Sequence, residues 1–326
     1  MDFGQVLSDG LRSAFGLSAA AFALGAVGLN VQFGYTGLLN FGHVGFMMVG
    51  AYGTAITVDQ GGSLWLGIVI GILAAVVLGL ILGLPTLRLR SDYLAIVTIA
   101  AAEIIRLLVR SNSLDGLTNS VFGIRGFADA FYDLNPIPRG TYGIGDLVYN
   151  QRNLWVIAVA WALVGLATLF VFLLVRSPWG RVVRAIREDE DAARSLGKNA
   201  FFYKLQSFVI GGAIGGLSGI MFAIDRQAVR PEFFFAVVTF FVFTIVILGG
   251  PGRVFSPIVG SVIFWFVIQS SDTLIRQAIS ADYITFIETT DVGAVRFALV
   301  GLMLIALIVF RPQGIFGKRE ELFLGD

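Results

Sequence analysis

Apolar stretches of roughly 20 residues recur along almost all of this 326-residue chain, and that is the length an α-helix needs to cross a bilayer core. Charged residues make up 14% of the chain, whereas a soluble protein of ordinary composition carries about 25%. The sequence therefore predicts an all-α, polytopic transmembrane helical bundle, built as a single domain over residues 1–326.

The apolar stretches divide into nine predicted spans, within a range of about eight to ten. Long polar segments at 110–152 and 176–204 interrupt the series, and a glycine-rich junction at 34–40 lies between the first two spans. The predicted spans are residues 14–33, 41–58, 64–84, 92–109, 153–175, 205–223, 233–248, 255–270 and 294–310.

Basic residues collect in segment 176–204, and cytoplasmic loops of membrane proteins are enriched in them. They are Arg176, Arg181, Arg184, Arg187, Arg194, Lys198 and Lys204. We therefore place this segment, and by alternation the C-terminus, on the cytoplasmic side of a bacterial-type plasma (inner) membrane. The other basic residues that fall inside are Arg88, Arg90, Arg311, Lys318 and Arg319. The N-terminus and segment 110–152 fall outside, as do Asp272, Asp282, Glu288 and Asp291.

The sequence excludes several kinds of site. It contains no cysteine and one histidine, so disulfides, thiolate chemistry and a histidine-built metal site lack the residues to form them. The phosphate-binding pattern Gly-x-x-x-x-Gly-Lys-Ser/Thr is absent. We therefore expect a non-enzymatic chain without metal or cofactor, whose ATP and magnesium would be bound by a separate subunit. A net charge of +1 gives no sign of a nucleic-acid partner.

Polar side chains within predicted spans are candidates for a translocation route, because they are costly in hydrocarbon. One group lies where the first two spans meet, and glycines there permit an unwound turn of the kind from which transporters build sites. Its members are Asn30, Gln32, Tyr35, Asn40 and His43. The second group is Glu103 and Arg106, an expected ion pair on one helix face. A purely structural role is the alternative for both groups.

Three glycines repeat at four-residue spacing in the sixth predicted span, which places them on one helix face. They are Gly211, Gly215 and Gly219. We interpret this ladder as a surface for close helix packing, and a sliding or gating surface is the alternative.

The charged segment between the fifth and sixth spans has the pattern of a polar helix. Four-residue spacings predict two ion pairs, Arg187 with Asp191 and Glu190 with Arg194, and Gly197 is placed to end the helix. One interpretation is an amphipathic helix that rests on anionic lipid head groups.

The end of this segment supports a second interpretation. Residues 191–197, Asp-Ala-Ala-Arg-Ser-Leu-Gly, resemble the Glu-Ala-Ala-x-x-x-Gly loop of ABC importer permeases. In that family the loop docks onto the ATPase subunit, so the resemblance implies that segment 176–204 is a cytoplasmic coupling loop. The implied ATPase-coupling residues are Arg187, Glu188, Asp189, Glu190, Asp191, Ala192, Ala193 and Gly197.

Further stretches, including Ala102-Glu-Ile-Ile-Arg106 and Arg311-Pro-Gln-Gly-Ile-Phe316, resemble one family over nearly the whole chain. It is the permease family of branched-chain amino acid ABC importers, and within it the LivM-like branch. The resemblance implies a chain that translocates branched-chain or related amino acids. It also implies a sister permease subunit in a heterodimer, two cytoplasmic ABC ATPase subunits and an external substrate-binding protein.

Arginines in the predicted outer segments are candidates for docking the binding protein. They are Arg110, Arg125, Arg139, Arg226 and Arg230. Two alternative functions stay open, namely a permease of the same type for urea or short amides and an ion-coupled secondary transporter. The secondary transporter would need an ion site inside the membrane, for which Glu103 is the candidate.

Overall fold

The structure, a computed structural model, describes residues 2–89, 91–144, 147–281, 283, 291–311 and 313–316. The helices within these residues are α1 (Phe3–Ala14), α2 (Leu17–Leu29, continued by a π-helical turn at Asn30–Tyr35), α3 (His43–Asp59), α4 (Leu64–Thr86), α5 (Ser91–Arg110), α6 (Asp115–Thr118), α7 (Asp129–Asp133), α8 (Gln151–Arg176), α9 (Pro178–Glu188), α10 (Glu190–Ser195), α11 (Ala200–Arg226), α12 (Ala236–Gly249), α13 (Ser256–Ser280) and α14 (Val292–Phe310). Nine of them overlap the nine predicted spans, and the number that cross the bilayer stays a prediction.

Five helical segments are long and apolar enough to cross a bilayer. They are Leu17–Tyr35, Leu64–Thr86, Gln151–Arg176, Ala200–Arg226 and Ser256–Ser280. Two shorter helical stretches, Ala236–Gly249 and Val292–Leu307, are also apolar. The predicted fold class, a polytopic helical bundle, is confirmed, and the chain is a multi-pass membrane protein.

The eighth predicted span ended too early. Helix α13 runs ten residues further, to Ser280, so Asp272 lies in a helix and not in the predicted loop. Its carboxylate is buried because two guanidinium groups neutralise it. Arg276 Nε donates to Asp272 at 2.8 Å, and Arg296 Nη2 donates to it at 3.1 Å.

Helices α2 and α11 lie at the centre of the bundle, where about four-fifths of the residues in their apolar stretches are buried. They pack closely because the glycine ladder of α11 faces its neighbours. A Cβ atom at Gly211 would lie 2.5 Å from the Gly28 carbonyl oxygen, and one at Gly219 would collide with the carbonyl of Met47. The close-packing interpretation of the ladder is confirmed.

Connecting segments gather at two opposite ends of the bundle. At one, the α9 end, the Arg88 guanidinium lies 5.6 Å from the Phe201 ring centroid, and Ile315 N donates to Leu248 O at 2.9 Å. At the other, the α1 end, Tyr149 OH donates to the Arg12 carbonyl at 3.3 Å. Alternation of the predicted spans groups these segments in the same way. The assignment of the α9 end to the cytoplasm stays a prediction. The remaining basic and acidic residues of that prediction, which lie outside the described residues, are Arg90, Asp282, Glu288, Lys318 and Arg319.

Segment 111–150 lies at the α1 end and adds two short antiparallel strand pairs to the helices. Strands β1 (Ile124–Arg125) and β4 (Ala228–Val229) pair with each other, as do β2 (Thr141–Ile144) and β3 (Leu147–Asn150). Tyr132 OH donates to the Ile224 carbonyl at 3.1 Å, and burial raises the pKa of Tyr132 to about 12. This hydrogen bond joins the segment to the end of α11.

Candidate coupling and translocation site

The second helix loses its α-helical geometry before it ends. Residues Asn30–Tyr35 form a π-helical turn, and the chain then bends at Gly37, whose φ of +74° suits glycine because it has no Cβ. Such turns weaken the regular hydrogen-bond ladder and are frequent at functional sites. The Val31 carbonyl instead accepts hydrogen bonds from Thr36 Oγ1 at 3.0 Å and Ser207 Oγ at 2.9 Å. We call residues 30–42 the helix break.

Polar side chains inside the helix break bond to one another and to α11. Gln32 Nε2 donates to the Phe208 carbonyl at 2.8 Å, and Asn40 Nδ2 donates to Gln32 Oε1 at 2.9 Å. His43 Nδ1 lies 3.3 Å from the same Gln32 oxygen. All three side chains are fully buried, so these contacts pair both polar atoms of the Gln32 amide, which would otherwise be costly to bury.

Asn30 links the helix break to the turn between α12 and α13. Its Nδ2 donates to the Arg253 carbonyl at 2.8 Å, and its Oδ1 accepts from Gly252 N at 2.9 Å. Tyr35 is also buried. All five predicted polar residues at this junction are buried in the core of the bundle and not along a surface, and three of them, Gln32, Asn40 and His43, contact one another.

The predicted ion pair on α5 is confirmed. Arg106 Nη2 lies 2.5 Å from Glu103 Oε1, and Arg106 Nε donates to Glu103 Oε2 at 2.9 Å, which makes the pair bidentate. The Arg106 guanidinium also lies 4.6 Å from the centroid of the Phe235 ring. The two partners differ in burial, because the Arg106 side chain is 6% exposed and the Glu103 side chain 42%.

The charged segment after α8 folds as two helices and not as the one predicted. The backbone is extended at Asp189, whose carboxylate accepts from Ala192 N at 2.9 Å and so caps the second helix, α10. The prediction that Glu190 pairs with Arg194 is confirmed at 2.6 Å. The predicted pair of Arg187 with Asp191 is wrong, because the turn at Asp189 directs Arg187 elsewhere.

Arg187 reaches the helix break. Its Nη1 donates to the carbonyl oxygen of Gly34, at the end of the π-helical turn. A Cβ atom at Gly252 would lie 3.0 Å from the same nitrogen, so the guanidinium also lies against the α12–α13 turn. One side chain of α9 thus contacts the two elements that Asn30 joins.

The other predicted coupling residues differ in how exposed their side chains are. Ala193 is buried with Ile186 and Ala200, which holds α10 against α9 and α11. Glu190 forms ion pairs with both Arg194 and Lys204. Those left exposed on the α9 end are Glu188, Asp189, Asp191, Ala192 and Gly197.

At the α1 end, three of the five predicted docking arginines line one open cavity of about 470 Å³. They are Arg125, Arg226 and Arg230. The Arg226 guanidinium stacks on the rings of Phe222 and Phe233, at 4.4 and 4.8 Å from their centroids.

The other two predicted docking arginines do not line this cavity. Arg110 lies 3.9 Å from Glu232, and Arg139 is exposed in segment 111–150. The structure therefore brings three of the five together.

The sequence is similar to those of known proteins, and this similarity identifies the family. Residues 12–309 match the protein family described as branched-chain amino acid transport system, permease component. The chain belongs to this family. The match covers every helix from α2 to α13 and most of α14.

Individual relatives carry related names. The high-affinity branched-chain amino acid transport system permease protein LivM of Escherichia coli K12 is 33% identical over 300 residues, which are 89% of this chain and 66% of that protein. The corresponding protein LivH of the same organism is 27% identical over 311 residues, 92% of each chain. A probable LivM of Methanocaldococcus jannaschii is 25% identical over 335 residues, 90% of each. The chain thus spans just under two thirds of the length of the Escherichia coli LivM.

Among solved structures, PsaBC from Streptococcus pneumoniae in complex with Fab aligns with a TM-score of 0.45 and 15% identity, over 94% of this chain and 93% of the other.

Proposed function

We propose that this chain is the transmembrane permease subunit of an ATP-binding-cassette importer and translocates branched-chain or related amino acids. Separate ATPase subunits at the α9 end supply the energy, and an external binding protein at the α1 end delivers the substrate. A sister permease subunit completes the membrane core. Membership of the permease family supports the role, and the substrate class named for the relatives supports branched-chain amino acids.

The observation that carries the mechanism is the hydrogen bond from Arg187 to Gly34. Helix α9 lies at the end of the bundle where exposed charged residues are available to a docking subunit, and Gly34 lies in the broken second helix. A displacement of α9 on ATPase closure is therefore passed to the helix break. The break moves as a unit because Asn30 and Gln32 bind its neighbours tightly.

Binding-protein docking is assigned to the arginine-lined cavity at the α1 end. Arg125, Arg226 and Arg230 present positive charge toward the side from which substrate arrives. Carboxylates on a binding protein would complement this charge and steer association. Of the five predicted docking residues, Arg110 is the least suited, because Glu232 lies beside it.

The function is tested by purifying the whole complex, identifying its chains and reconstituting it in liposomes with ATP on the side of the ATPase subunits. We expect uptake of leucine that requires both ATP and the binding protein. Concentrative uptake from a proton or sodium gradient without ATPase subunits would establish an ion-coupled carrier instead. Uptake of urea in place of leucine would move the chain to the alternative substrate class.

A further inference from the structure

Helix α4 presents an uncovered apolar surface that leads toward the α9 end of the bundle. Every exposed side chain of α4 is apolar. Four of them follow one another at spacings of three or four residues, namely Leu73, Val77, Ile81 and Leu84, and we call these the α4 stripe. Because Leu84 follows Leu73 by eleven residues, the stripe is about 16 Å long. That length is close to the hydrocarbon thickness of one leaflet, about 15 Å.

A cavity of about 440 Å³ opens at the α9 end, in the region where α4 ends. Three elements contribute its polar side chains, and one of its apolar side chains, Leu89, is 44% exposed. Arg88 and Leu89 come from the turn after α4, Glu190 and Arg194 from α10, and Lys204 from α11. The cavity therefore combines charged groups with apolar surface.

The cavity carries more positive than negative charge. Three of its lining side chains are basic and one is acidic. Glu190 forms ion pairs with both Arg194 and Lys204, and one carboxylate cannot neutralise two cations. Asp191 also lies 3.6 Å from Arg194, but its side chain is 94% exposed, so solvent weakens this pair. A net positive charge remains, and it favours an anion.

Arg88 is the lining cation that has no counter-ion in the part of the chain that the structure describes. Its guanidinium lies 5.6 Å from the centroid of the Phe201 ring and forms no ion pair with a described carboxylate. Arg88 follows Leu84, the last residue of the α4 stripe, by four residues. The planar guanidinium group suits phosphate because it can donate two parallel hydrogen bonds. A ligand that has both an apolar chain and a phosphate group fits this arrangement.

We propose that this cavity binds the phosphate group of an anionic glycerophospholipid, with an acyl chain of the same lipid along the α4 stripe. The charge of the cavity selects the head group, and the stripe adds a contact that a free anion would not make. Basic pockets between transmembrane helices bind anionic head groups in this way. The phosphate also contacts α10 through Arg194. The site does not depend on which substrate the chain carries.

Photolabelling of the purified whole complex tests the proposal. A phosphatidylglycerol with a diazirine in its acyl chain is added below saturation, and labelled peptides are identified by mass spectrometry. Phosphatidylcholine with the same acyl chain is the zwitterionic comparison. One basic side chain changes the affinity for an anionic lipid about fivefold, so phosphatidylglycerol should label the α4 stripe about fivefold more strongly. Equal labelling by the two lipids would overturn the proposal.

Substitution of Arg88 tests the head-group contact directly. Arg88→Gln removes the cation without a counter-ion, so labelling of the α4 stripe by phosphatidylglycerol should fall about fivefold. Arg88→Lys keeps the charge and should keep most of the labelling. Arg181→Gln, at an exposed arginine of α9 outside the cavity, is the control and should label like the unsubstituted complex. Equal labelling of the Arg88→Gln and Arg181→Gln complexes would overturn the proposal.

Inorganic phosphate separates a lipid from a free anion as the ligand. In excess phosphate the α4 stripe of the unsubstituted complex should stay labelled, because the acyl chain gives the lipid a contact that phosphate lacks. Loss of the label would show that the cavity takes the free anion and would overturn the lipid assignment. If Arg88→Gln prevents assembly of the complex, the comparison of the two lipids on the unsubstituted complex decides.

Discussion

Two groups of polar residues in the helical bundle differ in accessibility. In the helix break, Asn30, Gln32 and Asn40 are fully buried, and backbone or side-chain partners occupy their polar atoms. On α5, Glu103 has one partner and an open side. A buried network with satisfied hydrogen bonds stabilises a conformation, whereas a half-exposed charge is available to interact with something outside the chain. We therefore propose that the first region transmits movement and that the second lines the translocation route.

The largest expected effect is on stability, from Gln32→Leu. The substitution leaves the Phe208 carbonyl, the Asn40 amide and the His43 ring without their buried partner, so we expect a loss of about 3 kcal/mol in the free energy of unfolding. Thermal denaturation of the purified complex measures it, with Gln60→Leu, at an exposed position, as the control. An unchanged melting temperature would remove the distinction between the two regions.

Glu103→Gln should have the opposite pattern, with a smaller loss of stability and a clear loss of transport. Glu103→Gln keeps the size of the side chain and a hydrogen bond to Arg106 but removes the charge opposite the buried guanidinium, so we expect a loss of about 1 to 2 kcal/mol in the free energy of unfolding, less than that of Gln32→Leu. ATP-driven uptake should fall about tenfold, which corresponds to about 1.4 kcal/mol in the barrier. Asp92→Asn, on the same helix but at the α9 end, is the matched control. Unaltered uptake in the Glu103 variant would show that the pair is structural.

The smallest effect is expected from Ser207→Ala. Ser207 donates to the Val31 carbonyl, which also accepts from Thr36, so one partner remains and the cost should be about 1 kcal/mol. Thermal denaturation again measures the change, and Ser280→Ala at the exposed end of α13 is the reference. A loss as large as that of Gln32→Leu would mean that the π-helical turn depends on α11 more than this geometry indicates.

Much of the fold could be predicted from the sequence because transmembrane helices are encoded by local apolarity and length. The unwound turn at Gly34 was also predicted, from glycines beside polar residues. The end of α13 was not, since Asp272 is a loop-like residue in sequence and its burial depends on a contact with the distant Arg296 in addition to its pair with Arg276. That contact has no local signal.

The sequence indicated most residues of the site, but it did not indicate all the contacts that they make. Spacing identified Glu103 with Arg106 because i, i+3 partners are neighbours on a helix. The same rule failed for Arg187, since Asp189 interrupts the helix and the guanidinium instead binds a backbone carbonyl 153 residues away. Every residue has a backbone carbonyl, so the sequence does not indicate which one accepts this hydrogen bond. This contact and the role of Ser207 therefore required the three-dimensional structure.

We propose that Arg187 transmits movement of α9 to the helix break. The most direct test is the ratio of ATP hydrolysed to substrate transported in reconstituted complexes carrying Arg187→Ala, with Arg181→Ala, an exposed arginine of the same helix, as control. We expect the Arg187 variant to keep ATPase activity while uptake falls about tenfold, and Arg187→Lys to restore part of the coupling. An unchanged ratio in the alanine variant would contradict the account.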